Sequence, residues 1–342
     1  MNTMTRAAAA VLLVLAAAAS AQSVQLAALG ALQLEFERAL PVAAYPGQPV
    51  AAQVTYRKGE AFNVPSPGRV QQIEYLVQPG ATVVQGQPFA VLRGPEMHHF
   101  EMSYRSSQAL ASAAERRFKS NKGLYERKAI SESQWLEISE QYYALALEYE
   151  HMRHFFELVV DGDDDADALT LAAPLAGRID YSSADRGVEE GDSIALFVPA
   201  TAIRLQAALP IALAAEVVSL HAAGCELAIE RVSAMTDGFF VQAWTRSLPP
   251  SCRLMLGQQV LATPMVRVDD AYRVPRSAVF RLERENYVLV RDGESLLAVA
   301  VTPLAAEAGD YVLQAADVLR NAEVLVSSVS AVQGILLGLG GE

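Results

Sequence analysis

A chain of 342 residues with 52% apolar and 19% charged side chains is long enough for roughly two to four packed domains and too apolar for a disordered one. Its net charge of −12, from 27 basic and 39 acidic residues, excludes a nucleic-acid binder, because no Lys/Arg cluster is dense enough to neutralise a phosphate backbone.

At the start, Arg6, an apolar run from Ala7 to Ala19 and the small residues Ala19, Ser20 and Ala21 read as a signal peptide, residues 1–21, cut after Ala21. A retained anchor is the alternative, although the run falls short of the about 20 apolar residues that cross a bilayer. No cysteine follows for lipidation, and no later segment is apolar enough to span. The expected product is an exported, soluble chain.

Residues 22–56 alternate in strand fashion (Leu32, Leu34, Phe36) and are broken by Pro41, Pro46 and Pro49, which predicts short strands joining the later β domains. From Ala61 short strands are punctuated by Pro65, Pro67, Gly68, Pro79, Gly80 and Gly86. A weaker copy follows far downstream: Pro174, Gly177, Arg178 and Ile179 align with Pro65, Gly68, Arg69 and Val70, and Val188 and Gly191 with Val83 and Gly86. Such an internal repeat implies two half-motifs, residues 57–95 and 168–200, that fold together into one sandwich.

Between the copies lies a predicted helical hairpin, residues 96–160. Trp135, Ile138, Tyr142, Leu145, Tyr149, Met152 and Phe156 repeat at alternating spacings of three and four, a heptad seam. Phe100, Tyr104, Ser107, Ala111, Ala114 and Phe118 repeat likewise and predict a partner helix whose small residues face the large ones. Ser131 with Gln134 is a capping box that starts the second helix and ends the first near Lys128, with Gly123 weakening its last turn. The acidic run Asp161, Asp163, Asp164, Asp165 and Asp167 lacks the Gly and Glu that a calcium loop needs, because Ala166 and Ala172 hold those places, so it reads as a solvated loop.

Residues 201–272 predict a small β-barrel, with strands at Ile203–Leu209, Cys225–Val232, Phe239–Thr245 and Gln259–Met265 and a short helix within Pro210–His221. Cys225 and Cys252 are the only cysteines, and an oxidising compartment allows a disulfide between them. Residues 273–342 predict a last β domain, with a hairpin turn at Asp292–Gly293.

In this order the motifs resemble the periplasmic adaptor subunits, or membrane fusion proteins, of tripartite efflux systems driven by resistance-nodulation-division (RND) pumps. Pro67, Gly68, Val70, Val77, Gly80, Val83 and Gly86 are similar to the first half of the family's lipoyl-like domain, and Ala173–Phe197 to the second. Leu256, Gly257, Gln258 and Val260 resemble a strand of its barrel. Val274, Pro275, Ala278 and Val279 resemble the entry to its membrane-proximal domain, and Asp317–Val326, with Leu319, Ala322 and Val324 but without the usual glycines, its closing strand. The resemblance implies a mainly β, elongated multidomain protein: a lipoyl-like β-sandwich split by a coiled-coil hairpin, a β-barrel and a membrane-proximal β domain. It also implies a periplasmic, non-enzymatic adaptor between an inner-membrane RND-type pump and an outer-membrane channel, homo-oligomeric when assembled and free of cofactors.

The family's hairpin tip carries an Arg, a Leu four residues on and a Ser seven beyond. Leu124 and Ser131 keep the last two positions, whereas the first holds Ser120, so the charge falls to Lys119 and Lys122, with Lys128 a further residue of the partner-binding tip. Carrier chemistry is excluded because the hairpin replaces the turn that would hold a modifiable lysine. The chain has no Gly-Xaa-Ser-Xaa-Gly elbow or P-loop. Two other readings stay open: an adaptor of an ABC-type exporter, and a periplasmic metal-binding or delivery protein using His98, His99, His151 and His154 at one end of the hairpin.

Overall fold

The computed structural model describes residues 23–160, 167–181 and 187–339. The signal peptide at 1–21 and Asp161, Asp163, Asp164 and Asp165 lie outside the described residues. The chain is mainly β and divides into two compact units.

The larger unit, 49–214 with 219–262, holds a sandwich of two four-stranded sheets. Each sheet takes strands from both half-motifs. One orders Gln72–Tyr75, Pro88–Arg93, Ala168–Ala172 and Val159–Val160; the other orders Phe62–Pro65, Ser193–Val198, Gly177–Asp180 and Thr82–Val83. The exchange is reciprocal at the repeated glycines. Gly86 N–H donates to the Ala173 carbonyl at 2.8 Å, and Gly191 N–H donates to the Ser66 carbonyl at 2.9 Å. Both glycines hold left-handed φ, +81° and +85°, a conformation that costs other residues about 1–2 kcal/mol. The inner faces bury Val64, Phe89, Leu92, Ile179, Ile194 and Phe197, with Phe89 edge-on to Phe197 at 5.0 Å.

The chain leaves this sandwich at Gly94 and enters α1 (Pro95–Glu126), with proline in the first turn, where a missing N–H costs nothing. It returns through α2 (Glu132–Phe156).

In the same unit, strands Val50–Tyr56, Ile203–Pro210, Cys225–Asp237, Phe240–Ser247 and the first residues of Gln259–Pro275 pair side by side. Alternate residues Val54, Leu205, Ala207, Val241, Ala243 and Ala262 are buried on one face, as a period of two demands. Cys225 and Cys252 form a disulfide with Cα atoms 5.8 Å apart. The helix expected within Pro210–His221 is a single turn, Ile211–Ala214, and Val217–Ala222 is a strand. Val217, Val218 and Leu220 favour that strand, and pairing of Ser219–Ala222 with Cys225–Ala228 outweighs local helix preference.

The smaller unit, 23–48, 215–218 and 263–339, pairs early strands with late ones: Ser23–Gln25 with Ser295–Leu297, Phe36–Arg38 with Glu323–Leu325, and Leu40–Pro46 with Met265–Arg273. Its central hairpin, Glu285–Asp292 with Ser295–Glu307, turns through Gly293 at φ +58°. A short helix, Val329–Leu336, buries Val329 and Val332 against Phe280, Leu289, Leu296 and Leu325.

Candidate functional site

The tip of the hairpin is built by two caps. At the end of α1 the Lys128 N–H donates to the Tyr125 carbonyl and the Ala129 N–H to the Leu124 carbonyl, both at 2.8 Å, with Lys128 at φ +57°. This is a Schellman arrangement with lysine where glycine is usual. Helix α1 therefore ends at Glu126, two residues before the expected stop, because Lys128 has left the helical region. At the start of α2 the Ser131 hydroxyl accepts from Gln134 N–H at 3.3 Å, and Ser131 N–H donates to Gln134 Oε1 at 3.1 Å.

Beneath the caps the two helices pack by rings. Phe118 stacks on Trp135 at 4.9 Å and on Tyr142 at 4.7 Å, and Tyr125 lies parallel to Trp135 at 5.2 Å. Near the sandwich Tyr104 stacks on Phe156 at 3.9 Å and Phe100 on Phe156 at 5.2 Å. The small residues Ser107, Ala111 and Ala114 are buried only along the middle. The expected pairing of large with small thus gives way to large against large at both ends, where flat rings fill an interhelical gap by stacking. The sequence reading missed Tyr125, although it lies seven residues beyond Phe118 and extends the same seam.

Around this aromatic pad the predicted tip residues differ in what they present. Lys119 is exposed and paired with Glu115 at 2.6 Å, a hydrogen bond that pushes its ammonium pKa up. Ser120 turns its hydroxyl back to donate to the Arg117 carbonyl at 3.0 Å. Lys122 and Lys128 are exposed without an ion pair among the described residues, and Leu124 is half-buried. Arg127, at the helix cap, adds a further exposed cation that the sequence reading did not single out. The tip is a rim of cations and hydroxyls over stacked rings.

Four of the five histidines lie at the other end of the hairpin. His98 is half-buried, and His99, His151 and His154 are exposed, with His154 Nδ1 3.7 Å from Glu157 Oε2. Among the described residues no three His, Cys, Asp or Glu side chains gather as a metal site. No described helix is long and apolar enough to cross a membrane.

No protein-family model and no curated protein matches the chain. Solved structures do. A MacA–MexA chimeric protein containing the Pseudomonas aeruginosa MexA α-hairpin domain aligns over 80% of this chain and 98% of its own, at 13% identity and a TM-score of 0.47. ZneB from Cupriavidus metallidurans aligns over 86% and 92%, at 15% identity and 0.37. The membrane fusion protein Spr0693 from Streptococcus pneumoniae aligns over 63% and 99%, at 14% identity and 0.38.

Proposed function

We propose that the chain is a periplasmic adaptor of an efflux system, joining an inner-membrane transporter to an outer-membrane channel through the tip of its hairpin. The observation that carries this reading is the insertion itself. Two half-motifs exchange strands to make one sandwich, and helices of 32 and 25 residues project from the place where a carrier domain would keep its lysine. At 1.5 Å per residue α1 extends about 48 Å, a reach that a local packing role does not need. Leu136, Tyr143 and Leu147 form a second stripe on α2, exposed by 57%, 62% and 73%, which supports side-by-side packing of copies. The mechanism is mechanical, with energy supplied by the transporter. In this reading residues 57–95 with 168–200 are the lipoyl-like domain, 201–272 the barrel and 273–342 the membrane-proximal domain. The resemblance of the motifs supports a transporter of the RND type, and an ABC-type exporter is the alternative.

Cysteines placed at Lys122 and Lys128 test the docking, since Cys225 and Cys252 are already joined to each other. Crosslinking in cells is expected to capture an outer-membrane channel from these positions and not from Lys58. No crosslink from any tip position would overturn the tip assignment. Recovery of an ABC exporter with the intact protein would overturn the RND assignment and keep the adaptor role.

A further inference from the structure

A second site lies away from the hairpin, where the barrel strands meet the sandwich. Two chain crossings join those parts, residues 57–61 and 199–202, and the Arg204 side chain reaches both, the first through Glu60 at 3.7 Å. Arg204, only 4% exposed, donates through Nε to the Ala202 carbonyl at 3.1 Å and through Nη2 to the Thr201 carbonyl at 3.2 Å; its Nη1 donates to Glu230 at 2.5 Å. Arg57 binds the other oxygen of Glu230 and also Glu60, the latter at 2.9 Å, and its N–H donates to the Ala202 carbonyl at 3.0 Å. Glu230 is thus an internal counter-anion shared by two guanidinium groups.

Over this network opens a cavity of 850 Å³, lined by Tyr56, Lys58, Gln206, Arg231 and Trp244 together with Arg57, Arg204 and Glu230. Four cations and the Glu230 carboxylate line it, with Glu60 pairing Arg57 and Arg204 from beside it, so cations outnumber carboxylates in a chain whose net charge is −12. Lys58 and Arg231 have no carboxylate partner among the described residues. Arg231 instead lies over the Trp244 ring, 4.6 Å from its centroid. Stacking fixes the plane of a guanidinium while leaving its N–H edges open, the geometry that grips a carboxylate or phosphate with two parallel hydrogen bonds. A cleft with an excess of one sign of charge also concentrates the opposite ion. The Gln206 amide, bonded to Gln242 at 3.1 Å, offers a neutral polar wall beside the cations.

We propose that this cavity binds a small multivalent anion bearing two or more carboxylate or phosphate groups, held by Lys58 and Arg231. The bound anion competes with Glu230 for Arg57, so its binding loosens the tie across residues 57–61.

The site carries its own reporter, because the chain has two tryptophans and Trp135→Phe leaves Trp244 alone. The full exported chain with that substitution is titrated with citrate and with pyrophosphate at constant ionic strength, with acetate for comparison. A saturable change in Trp244 emission is expected with at least one multivalent probe, at a Kd at least tenfold lower than for acetate. The tighter probe names the group, carboxylate or phosphate. Lys58→Ala with Arg231→Gln weakens binding at least tenfold, and Arg231→Lys, which keeps the charge, retains part of the affinity. Lys58→Ala alone, in a flexible exposed side chain, preserves folding and gives the same direction of change. Non-saturable responses to both probes, or saturable binding unchanged in Lys58→Ala and in the double variant, would overturn the proposal.

Discussion

Tyr75 and Tyr181, one from each half of the sandwich, stack with ring centroids 3.9 Å apart, and each donates its hydroxyl to the opposite half. Tyr181 reaches the Val77 carbonyl at 2.7 Å and Tyr75 the Ile194 carbonyl at 3.4 Å. Burial, with a smaller contribution from Tyr75, pushes the Tyr181 phenol up to about 12. A pKa raised in the folded state means stability that is complete below the unfolded value of about 10 and lost as pH climbs through about 12. Tyr181→Phe is expected to lower the unfolding free energy by about 1 kcal/mol at neutral pH. Denaturant melts from neutral pH to about pH 12 should show the gap closing at the alkaline end. A gap unchanged there would contradict the assignment.

Gly177 meets the end of a strand of its own half, Ser193–Val198, more tightly still. A β-carbon built on it would stand 2.5 Å from the Val198 carbonyl oxygen and 2.8 Å from its carbon. Backbone cannot yield as a flexible side chain does, so Gly177→Ala is expected to cost at least about 2 kcal/mol. The repeat-equivalent Gly68 has only Met97 Cε at 3.7 Å and Glu96 Cβ at 3.8 Å, and Gly68→Ala should be close to neutral. Thermal unfolding of the two variants decides whether the pair is as unequal as the geometry says.

That inequality marks what the sequence could reveal. Aligning Gly177 with Gly68 located both half-motifs because each copy must turn at the same places, but a one-dimensional match carries no record of which backbone lies opposite. The heptad seam of α1 and α2 was legible because 3.6-residue periodicity is local. The ring-on-ring contacts of Phe118 and Tyr104 were not, since they depend on which residues fall opposite across the hairpin. The site around Arg204 left little local trace. Arg204 and Gln206 on one strand and Gln242 and Trp244 on another look like ordinary outward-facing alternation until pairing of Gln206 with Trp244 puts them side by side.

Two substitutions should strengthen the hairpin tip. A β-carbon at Gly123 meets only Arg127 Nη1, at 3.9 Å, and Gly123 is helical, so Gly123→Ala removes a helix-interior penalty of about 1 kcal/mol. Lys128 occupies a left-handed position, and Lys128→Gly relieves strain of about 1 kcal/mol. The helical circular-dichroism signal should melt at higher temperature in each, and further in the pair. If the tip must deform to engage the proposed channel, Gly123→Ala will also reduce crosslinking from Lys122 while raising stability.

The disulfide spans 27 residues, and closing a loop of that length restricts the unfolded chain by about 3.5 kcal/mol. Reduction, or Cys225→Ser with Cys252→Ser, should lower the stability of the strands around the bridge by that order, read as faster hydrogen exchange in Gln206–Leu209 and Phe240–Thr245. The hairpin helices, which the bridge does not touch, should keep their protection. Equal loss in both regions would mean that these strands and the hairpin unfold as one unit.

Glu230 gives the larger unit an acid-sensitive tie. The hydrogen bond from Arg57 holds its carboxyl below the usual carboxylate range, with the nearby Arg204 acting in the same direction. A depressed folded pKa supplies stability that is present above the unfolded value of about 4.3 and disappears as pH falls through the folded value. Glu230→Gln removes the charge and leaves the buried Arg204 guanidinium with only Glu60, 3.7 Å away, as a counter-anion, so the variant should be less stable than the parent at neutral pH. As the medium is acidified the parent carboxyl takes up its proton and comes to resemble the glutamine, and the two melting curves should converge. Added salt should narrow the neutral-pH gap only slightly, because Arg204 is shielded from solvent, whereas a gap erased by salt would place the interaction at the surface.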